Sequence, residues 1–523
     1  MIVVVLEHPR IRSEKRFNDI ANTPLWSCLM GGYAASALQQ DGHEVHFIDA
    51  ATRNWSFSRT EREILGICPA MLAVNAVYFW EHTARLFDFL SRLRSAGFAG
   101  HINLFGFFPT LAHRVILQEA LEVESIAVGE CEKTLVELAG RLSKGQDWRD
   151  VPGLAYRASG EVKTAAPRPA ETNPDVFSFP FRAQASEGTA SVLASRGCYN
   201  HCSFCPIPVF YGRGPLWRGR SPNNVLGEMT HLVNRGVRDF YFVDANFIGP
   251  GKKGRDRIRN LAHLIRPLGI TFGMETRPND LDGDILECLA AAGLRTLLLG
   301  IESGSASVLG RLHKSASRKA GERAVDLCRS WGIEPEVGFL MFVPDSTVED
   351  LEYNLDFLRS NNLLDRLDRT ANLLCHCQIV LMGTSDYFHF KEQGRLTASG
   401  TFGFEGEVSF VDERVLWTSE LVVHACLFVL REMSRPESPL YWRDFGNSSR
   451  FGGVNDYLVS LFEQLLKEAR KMPPLPPAGA LKREIETELQ ERIARVRSDG
   501  VIVQRERVTS EGCASPSRCV LTD

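Results

Sequence analysis

Short, almost wholly apolar runs alternate with stretches in which apolar residues recur every three or four positions. The first run, residues 2–6 (Ile-Val-Val-Val-Leu), suits a central parallel strand. A helical pattern over residues 29–38 opens with close-packing glycines and ends at Asp41-Gly42, and residues 44–49 return as a strand, completing a βαβ unit. Residues 71–77 are a third strand, 82–96 a helix, 101–105 a fourth strand, 111–121 a helix, and 125–128 a fifth strand ending at Gly129-Glu130-Cys131-Glu132. This order predicts an α/β domain over residues 1–145, a doubly wound parallel sheet that binds ligands at its strand C-termini.

Residues 146–185 read as a linker, with a small hairpin over 151–160 and an extended crossing marked by Pro167, Pro169, Pro174 and Pro180. A second α/β series follows over residues 186–400. Strands are expected at 189–194, 238–244, 271–276, 296–301 and 336–342, with helices at 223–235, 255–266, 282–292, 319–331 and 348–360, and 378–382 is a candidate sixth strand. Polar residues stand at the strand ends: Asp244 and Asn246, Glu275 and Arg277, Glu302 and Ser303. An incomplete parallel barrel places its chemistry there. Singly, each residue equally suits a strand-end cap or a loop hydrogen bond; the series points to a site. Residues 401–523 lose this rhythm and read as a mainly helical region, with helices at 413–432, 454–471 and 480–497, a proline break at 473–477, and a loose tail over 508–523.

A chain of 523 residues accommodates several domains, and 44% apolar with 24% charged residues is a globular composition. A net charge of −4 gives no electrostatic case for nucleic acid as the main partner. No apolar run is long enough to span a bilayer, and the first residues lack the charged region of a signal peptide. Thirteen cysteines in such a chain point to a reducing cytoplasm. Cys28, Cys68, Cys288, Cys328 and Cys426 lie in apolar or helical contexts and are expected in the core.

Residues 195–208 change the picture. Cys198, Cys202 and Cys205 stand in the spacing C-x3-C-x2-C, after a glycine and before two prolines. Three thiolates in one short loop suit a soft metal, and iron–sulfur clusters take cysteine ligands, usually four. A tight group of three therefore suggests a cluster with one iron open. Zinc, with His201 in the loop, and unrelated core cysteines are the alternatives. Cys375-His376-Cys377 has ligand types but would alternate faces if it lay on a strand and is read as non-metal, and Cys513 and Cys519 fall in the tail, which disfavours a second cluster.

The loop, with Phe204 just before its third cysteine, resembles the signature of radical SAM enzymes. The resemblance implies that Cys198, Cys202 and Cys205 hold a [4Fe-4S] cluster whose fourth iron is chelated by S-adenosylmethionine. It also implies SAM contacts from Asp244, Asn246, Glu275, Arg277, Glu302 and Ser303, with Asn246 and Glu302 foremost, and adenine contacts near Phe339 and Leu340. The turn usually written Gly-x-Pro is here Phe342-Val343-Pro344.

The N-terminal segment order resembles the Rossmann-like cobalamin-binding domain fused to many of these enzymes. A Gly-Gly-x-x-Pro-Thr turn corresponds to Gly106-Phe107-Phe108-Pro109-Thr110, with Phe107 set to narrow the channel for the nucleotide tail. Gly-Glu-Gly-Glu corresponds to Gly129, Glu130, Cys131 and Glu132, and Asn75-Ala76-Val77 takes the place of Ser-x-Leu. The Asp-x-His-x-x-Gly motif is absent, so no axial histidine is expected from the loop containing His8. The resemblance, over about residues 1–400, implies C-methylation of a small-molecule intermediate through a 5′-deoxyadenosyl radical and methylcobalamin, with electrons from a flavodoxin or ferredoxin. Ring closure or oxidative rearrangement without methyl transfer is the first alternative. A non-catalytic cobalamin- or metal-sensing module is the second, and modification of tRNA or protein is weaker for want of a basic appendage.

Overall fold

The computed structural model describes residues 1–11, 27–182, 188–212, 217–441, 448–471 and 475–507. They form two compact units. The first comprises Met1–Ser346, Tyr353–Phe357 and Cys377–Val411; the second comprises Thr347–Glu352, Leu358–His376 and Asp412–Asp523.

In the first unit the chain runs β1 (Ile2–Glu7), α1 (Ser27–Gln40), β2 (Glu44–Asp49), α2 (Phe57–Ile67), β3 (Met71–Asn75), α3 (Ala84–Ser95), β4 (His101–Phe105), α4 (Phe107–Glu119), β5 (Ser125–Ala127), α5 (Glu132–Ser143), β6 (Leu154–Ala158) and β7 (Glu161–Thr164). The sheet order is β2-β1-β3-β4-β5-β6-β7. Strands β1 to β5 are parallel. Alternate β1 residues feed opposite faces: Val3 and Val5 pack with Ala34, Leu38, Leu135 and Leu138, while Val4 and Leu6 pack with Ile64, Leu86, Leu90 and Ile116. Burial on both faces explains the unbroken apolar run. The order reverses at β1 and β3, so the switch point lies at Glu7 and Asn75, which are paired in register.

The hairpin expected in the linker extends this sheet, β6 pairing antiparallel with β5. Its two-residue turn has positive φ at both Ser159 and Gly160, as a twisted hairpin requires.

The second sheet of this unit begins with β8 (Thr189–Val192), followed by β9 (Ser195–Arg196), α6 (Ile207–Phe210), β10 (Arg218–Gly219), α7 (Pro222–Val233), β11 (Asp239–Phe242), α8 (Gly251–Ile265), β12 (Thr271–Thr276), α9 (Gly283–Ala292), β13 (Leu294–Glu302), α10 (Ala306–Arg311), α11 (Arg318–Ser330) and β14 (Glu336–Phe339). Five parallel strands lie in the order β14-β13-β12-β11-β8. Each new strand adds on the same side, which is barrel winding. The chain continues through α12 (Val348–Ser360), α13 (Leu367–Cys375), β15 (Val380–Leu381), α14 (Ser385–Glu392), β16 (Leu396–Ser399) and β17 (Glu405–Val408). The sixth barrel position is a single parallel bridge from Phe342 to Cys377. Of the expected strand at 378–382, only β15 forms, and it pairs antiparallel with β17. Val380 packs there with Tyr387 and Phe390, and that small core draws it away from the barrel.

In the second unit α13 is joined by α15 (Glu413–Ser434), α16 (Gly452–Arg470) and α17 (Ala478–Arg507). They bury Leu373 and Leu374, Val422 and Val429, Leu458 and Phe462, and Leu489 and Ile493. No helix among the described residues is long and apolar enough to cross a membrane. Cys328 and Cys426 are buried and Cys288 is partly so. Cys68, expected in the core, is exposed, because it terminates α2 in the left-handed conformation with φ 51°. The Cys28 side chain and the 508–523 tail with Cys513 and Cys519 lie outside the described residues.

Candidate active site

The cysteine loop leaves β9 through Gly197, whose φ of +80° makes a turn that favours glycine. Cys198, Cys202 and Cys205 are free and partly buried. The Cys205 N–H donates to the Cys202 carbonyl at 3.1 Å. Asn200 donates its Nδ2 to Cys202 Sγ at 2.9 Å. Burial pushes the Cys205 thiol up to about 12, and the neighbouring Cys202 and Cys198 sulfurs push the same way. Burial also raises Cys202, against the pull of Lys314 and the Asn200 amide. Thiols so placed keep their protons until a metal displaces them. His201 is exposed. Among the described residues no three His, Cys, Asp or Glu side chains are drawn together around one point, a geometry that does not distinguish zinc from a cluster. Phe204 packs against Val308, Leu312, Leu340 and Val343.

A turn that the sequence did not single out clamps this loop. The Ser203 N–H donates to the Leu312 carbonyl at 3.0 Å. Ser203 Oγ donates to the Arg311 carbonyl at 3.4 Å, and Asn200 Nδ2 to the His313 carbonyl at 3.4 Å. The next residue, Lys314, is buried and places Nζ 2.8 Å from Glu302 Oε1. Glu302 ends β13 at a register shift, with φ +71°. A non-glycine residue held there is strained, and such strain gathers at functional sites.

The remaining strand-end residues divide by what they touch. Arg277 donates Nη2 to the Ser315 carbonyl at 2.9 Å and lies over the Tyr199 ring, 4.8 Å from its centroid. Tyr199 donates its hydroxyl to Asp280 at 2.6 Å, and Asn246 Nδ2 donates to the same carboxylate at 2.8 Å. Asn246 Oδ1 accepts from the Gly249 N–H and Thr276 Oγ1, each at 3.3 Å. The Asn246 side chain thus ties the barrel tips to the cysteine loop. Asp244 accepts from the Ala194 N–H at 3.0 Å and from Ser195 Oγ, and burial raises its carboxyl to about 6. Ser303 donates to Asn354 Oδ1 at 2.6 Å. Phe339 stacks on Phe357. Glu275 faces Tyr241 and is raised to about 7, chiefly by burial.

At the first sheet, Gly106 caps α4 with φ +113°, and a Cβ there would lie 2.6 Å from Asn75 Oδ1. Residues 107–110, expected as a turn, are the first helical turn; Pro109 is tolerated because the first-turn N–H groups have no helical partner. Thr110 Oγ1 accepts from the Gly129 N–H at 3.0 Å. Asn75 Nδ2 donates to Glu7 Oε1 at 2.8 Å. Glu130 pairs with Arg196 at 2.7 Å, and Glu132 pairs with the same guanidinium at 2.6 Å. The Phe107 ring is stacked on Phe210, with centroids 4.0 Å apart. A cavity of about 400 Å³ is lined by Gly129, Glu130, Lys133, Arg168, Phe210 and Tyr211. His8 is buried; Nδ1 donates to the Pro9 carbonyl at 2.7 Å, and Nε2 accepts from the Val77 N–H at 3.1 Å. Neither nitrogen is left for a metal, and burial lowers this imidazole to about 3.

Residues 192–358 match the family model described as the radical SAM superfamily. The central domain belongs to the radical SAM superfamily. The chain is 26% identical over 342 residues to an uncharacterized methyltransferase of Pyrococcus horikoshii, covering 62% of this chain and 72% of the relative. It is 27% identical over 371 residues to the anaerobic magnesium-protoporphyrin IX monomethyl ester cyclase of Cereibacter sphaeroides, covering 67% of this chain but only 58% of the cyclase. Its fold is that of the cobalamin-dependent S-adenosylmethionine radical enzyme OxsB with aqua-cobalamin bound, at a TM-score of 0.75 and 17% identity over 98% of this chain and 81% of that one. Radical SAM enzymes use a [4Fe-4S] cluster and SAM.

The residues of this radical SAM domain fit those two groups. The cysteine loop supplies three soft donors, Phe204 and Leu340 share an apolar wall, and Glu302 and Lys314 add polar groups at a strand end. The first sheet offers a switch point with a glycine-only backbone at Gly106, and Gly129 has φ +80°. These features fit a large ligand lying over the strand ends, with Phe107 and Phe210 as an aromatic wall.

Proposed function

We propose that this radical SAM enzyme is cobalamin-dependent and C-methylates an unactivated carbon of a small-molecule biosynthetic intermediate. The observation that carries this reading is the pairing, within one compact unit, of a C-x3-C-x2-C loop on a partial barrel with a switch-point sheet carrying Gly106, Thr110 and Gly129. The methyltransferase relative and the cobalamin-bound fold neighbour support it. In this reading residues 1–145 carry cobalamin and residues 186–400 carry the cluster and SAM.

When bound, the cluster supplies the electron that cleaves SAM to a carbon-centred radical, and cobalamin supplies the methyl group. The chain's own part is positioning. Cys198, Cys202 and Cys205 would hold the cluster, and Phe204 and Leu340 would exclude water beside it. Asp280 and Asn246 fix Tyr199, and with it the loop, against the barrel. Glu302 and Lys314 would meet the polar end of SAM, while Asn75, Gly106, Pro109, Thr110, Gly129 and Glu130 would line the cobalamin side. His8 would not serve as a ligand to cobalamin, since both its nitrogens bond to the backbone. Electrons would come from a flavodoxin or ferredoxin, in the cytoplasm, where thirteen cysteines stay reduced.

Ring closure is the second reading, favoured by the likeness to the cyclase over 67% of the chain. Anaerobic incubation of reconstituted enzyme with SAM, cobalamin and a reductant, read by mass spectrometry, separates the two. Methyl transfer predicts 5′-deoxyadenosine together with S-adenosylhomocysteine, the latter dependent on cobalamin. Deoxyadenosine without cobalamin-dependent S-adenosylhomocysteine contradicts it and leaves ring closure.

A further inference from the structure

The Arg311–Ser315 turn is bound to the cysteine loop and to the ends of two barrel strands, and it carries one buried charge. Its carbonyls accept from Ser203, Asn200 and Arg277, and His313 adopts φ +50° within it. Asn200 is the bridge: its one amide nitrogen reaches both Cys202 Sγ, at 2.9 Å, and the His313 carbonyl, at 3.4 Å. Lys314 follows directly, 8% exposed, its Nζ 2.8 Å from Glu302 Oε1. A Cβ on Gly300 would come within 3.0 Å of that Nζ and 3.1 Å of Glu302 Oε1, so the absent side chain at Gly300 makes room for the pair. A neutral side chain would close the same backbone turn, because every clamp bond uses a carbonyl. The charge therefore needs its own account.

We propose that Lys314 and Glu302 form a charge pair that sets the reduction potential of the cluster held by Cys198, Cys202 and Cys205, Lys314 favouring the reduced state and Glu302 opposing it. This rests on the cluster reading above. Reduction moves one electron from the donor to the cluster and makes or breaks no bond, so the cluster gains one negative charge. A buried ammonium one residue beyond the carbonyl that Asn200 links to Cys202 stabilises that charge, and the carboxylate paired with it destabilises it. Local charge and outer hydrogen bonds are among the levers that tune iron–sulfur centres. Each side chain acts here through its charge alone, and a titration without SAM keeps the SAM contact proposed above out of the readout. Arg277, whose charge also reaches Cys202, stays unchanged in every variant.

The test is a potentiometric titration of the full-length reconstituted protein without SAM, followed by electron paramagnetic resonance, with iron and sulfide measured in each sample. Lys314→Met is expected to lower the midpoint by at least tenfold in the reduction equilibrium, about 59 mV for one electron. Glu302→Gln is expected to raise it by a similar factor. Lys314→Arg stays within threefold of wild type, and Lys314→Met with Glu302→Gln returns towards it. Shifts in the same direction, or none in either single variant, overturn the proposal. If Lys314→Met loses iron, Glu302→Gln decides by the sign of its shift; loss of iron in both marks a purely structural role and overturns it too. A wild-type protein that binds no iron instead removes the cluster reading, before any potential is measured.

Discussion

Asn246 spends its side chain on the fold: its amide donates one N–H to Asp280 and its oxygen accepts from Gly249 and Thr276. A strand-end asparagine in a sequence carries the same letter whether it faces a ligand or braces a loop, so pattern reading brought it to the site without showing which. Glu302 differs, because its positive φ and its buried lysine partner mark it apart from an ordinary cap. Glu275 is testable by titration. Burial raises it from 4.5 to about 7, so between those values the folded protein holds a proton that the unfolded chain has released. Stability therefore falls as pH rises through that window and levels off above it. Denaturant melts at pH 4.5 and 7.5 should show wild type losing on the order of 3 kcal/mol more than Glu275→Gln, at ~1.36 kcal/mol for each tenfold change in proton affinity. Equal losses in the two proteins would contradict the burial of this carboxyl.

The α4 helix shows how an element places function. Gly106 must cap it because φ is +113° and Asn75 Oδ1 stands where a Cβ would go. Gly106→Ala should cost about 1–3 kcal/mol in chemical denaturation and weaken cobalamin binding, measured as bound cobalamin after reconstitution. Unchanged stability and unchanged binding would mean that this backbone is neither strained nor part of the cofactor cradle. Strands 44–49, 101–105 and 271–276 are legible to the residue, because apolar runs there stop at polar residues or turn glycines. Helix α4 begins four residues earlier than its pattern suggests, since Pro109 reads as a turn although the first helical turn tolerates it. Helix α2 is not legible as a core element, because only Thr60 and Ile64 are buried. The Arg311–Ser315 turn left no trace because it acts through backbone carbonyls, which every residue carries.

Across the whole molecule, the first compact unit holds both candidate cofactor sides, while the second is a helical assembly of α13, α15, α16 and α17. Within the first unit, Arg196 on β9 pairs with Glu130 and Glu132 at the tip of the first sheet, and Phe107 stacks on Phe210 just past the cysteine loop. The two sheets of this unit therefore touch through an aromatic stack and a guanidinium shared by two carboxylates. All of this depends on what the cysteine loop holds. The most direct measurement is iron and acid-labile sulfide per chain, with SAM cleavage, in anaerobically reconstituted wild type and in the Cys198→Ala, Cys202→Ala and Cys205→Ala variants. The account predicts about four irons in wild type, 5′-deoxyadenosine on reduction, and loss of cleavage in all three variants. Zinc in place of iron, or cleavage retained in any variant, would contradict it.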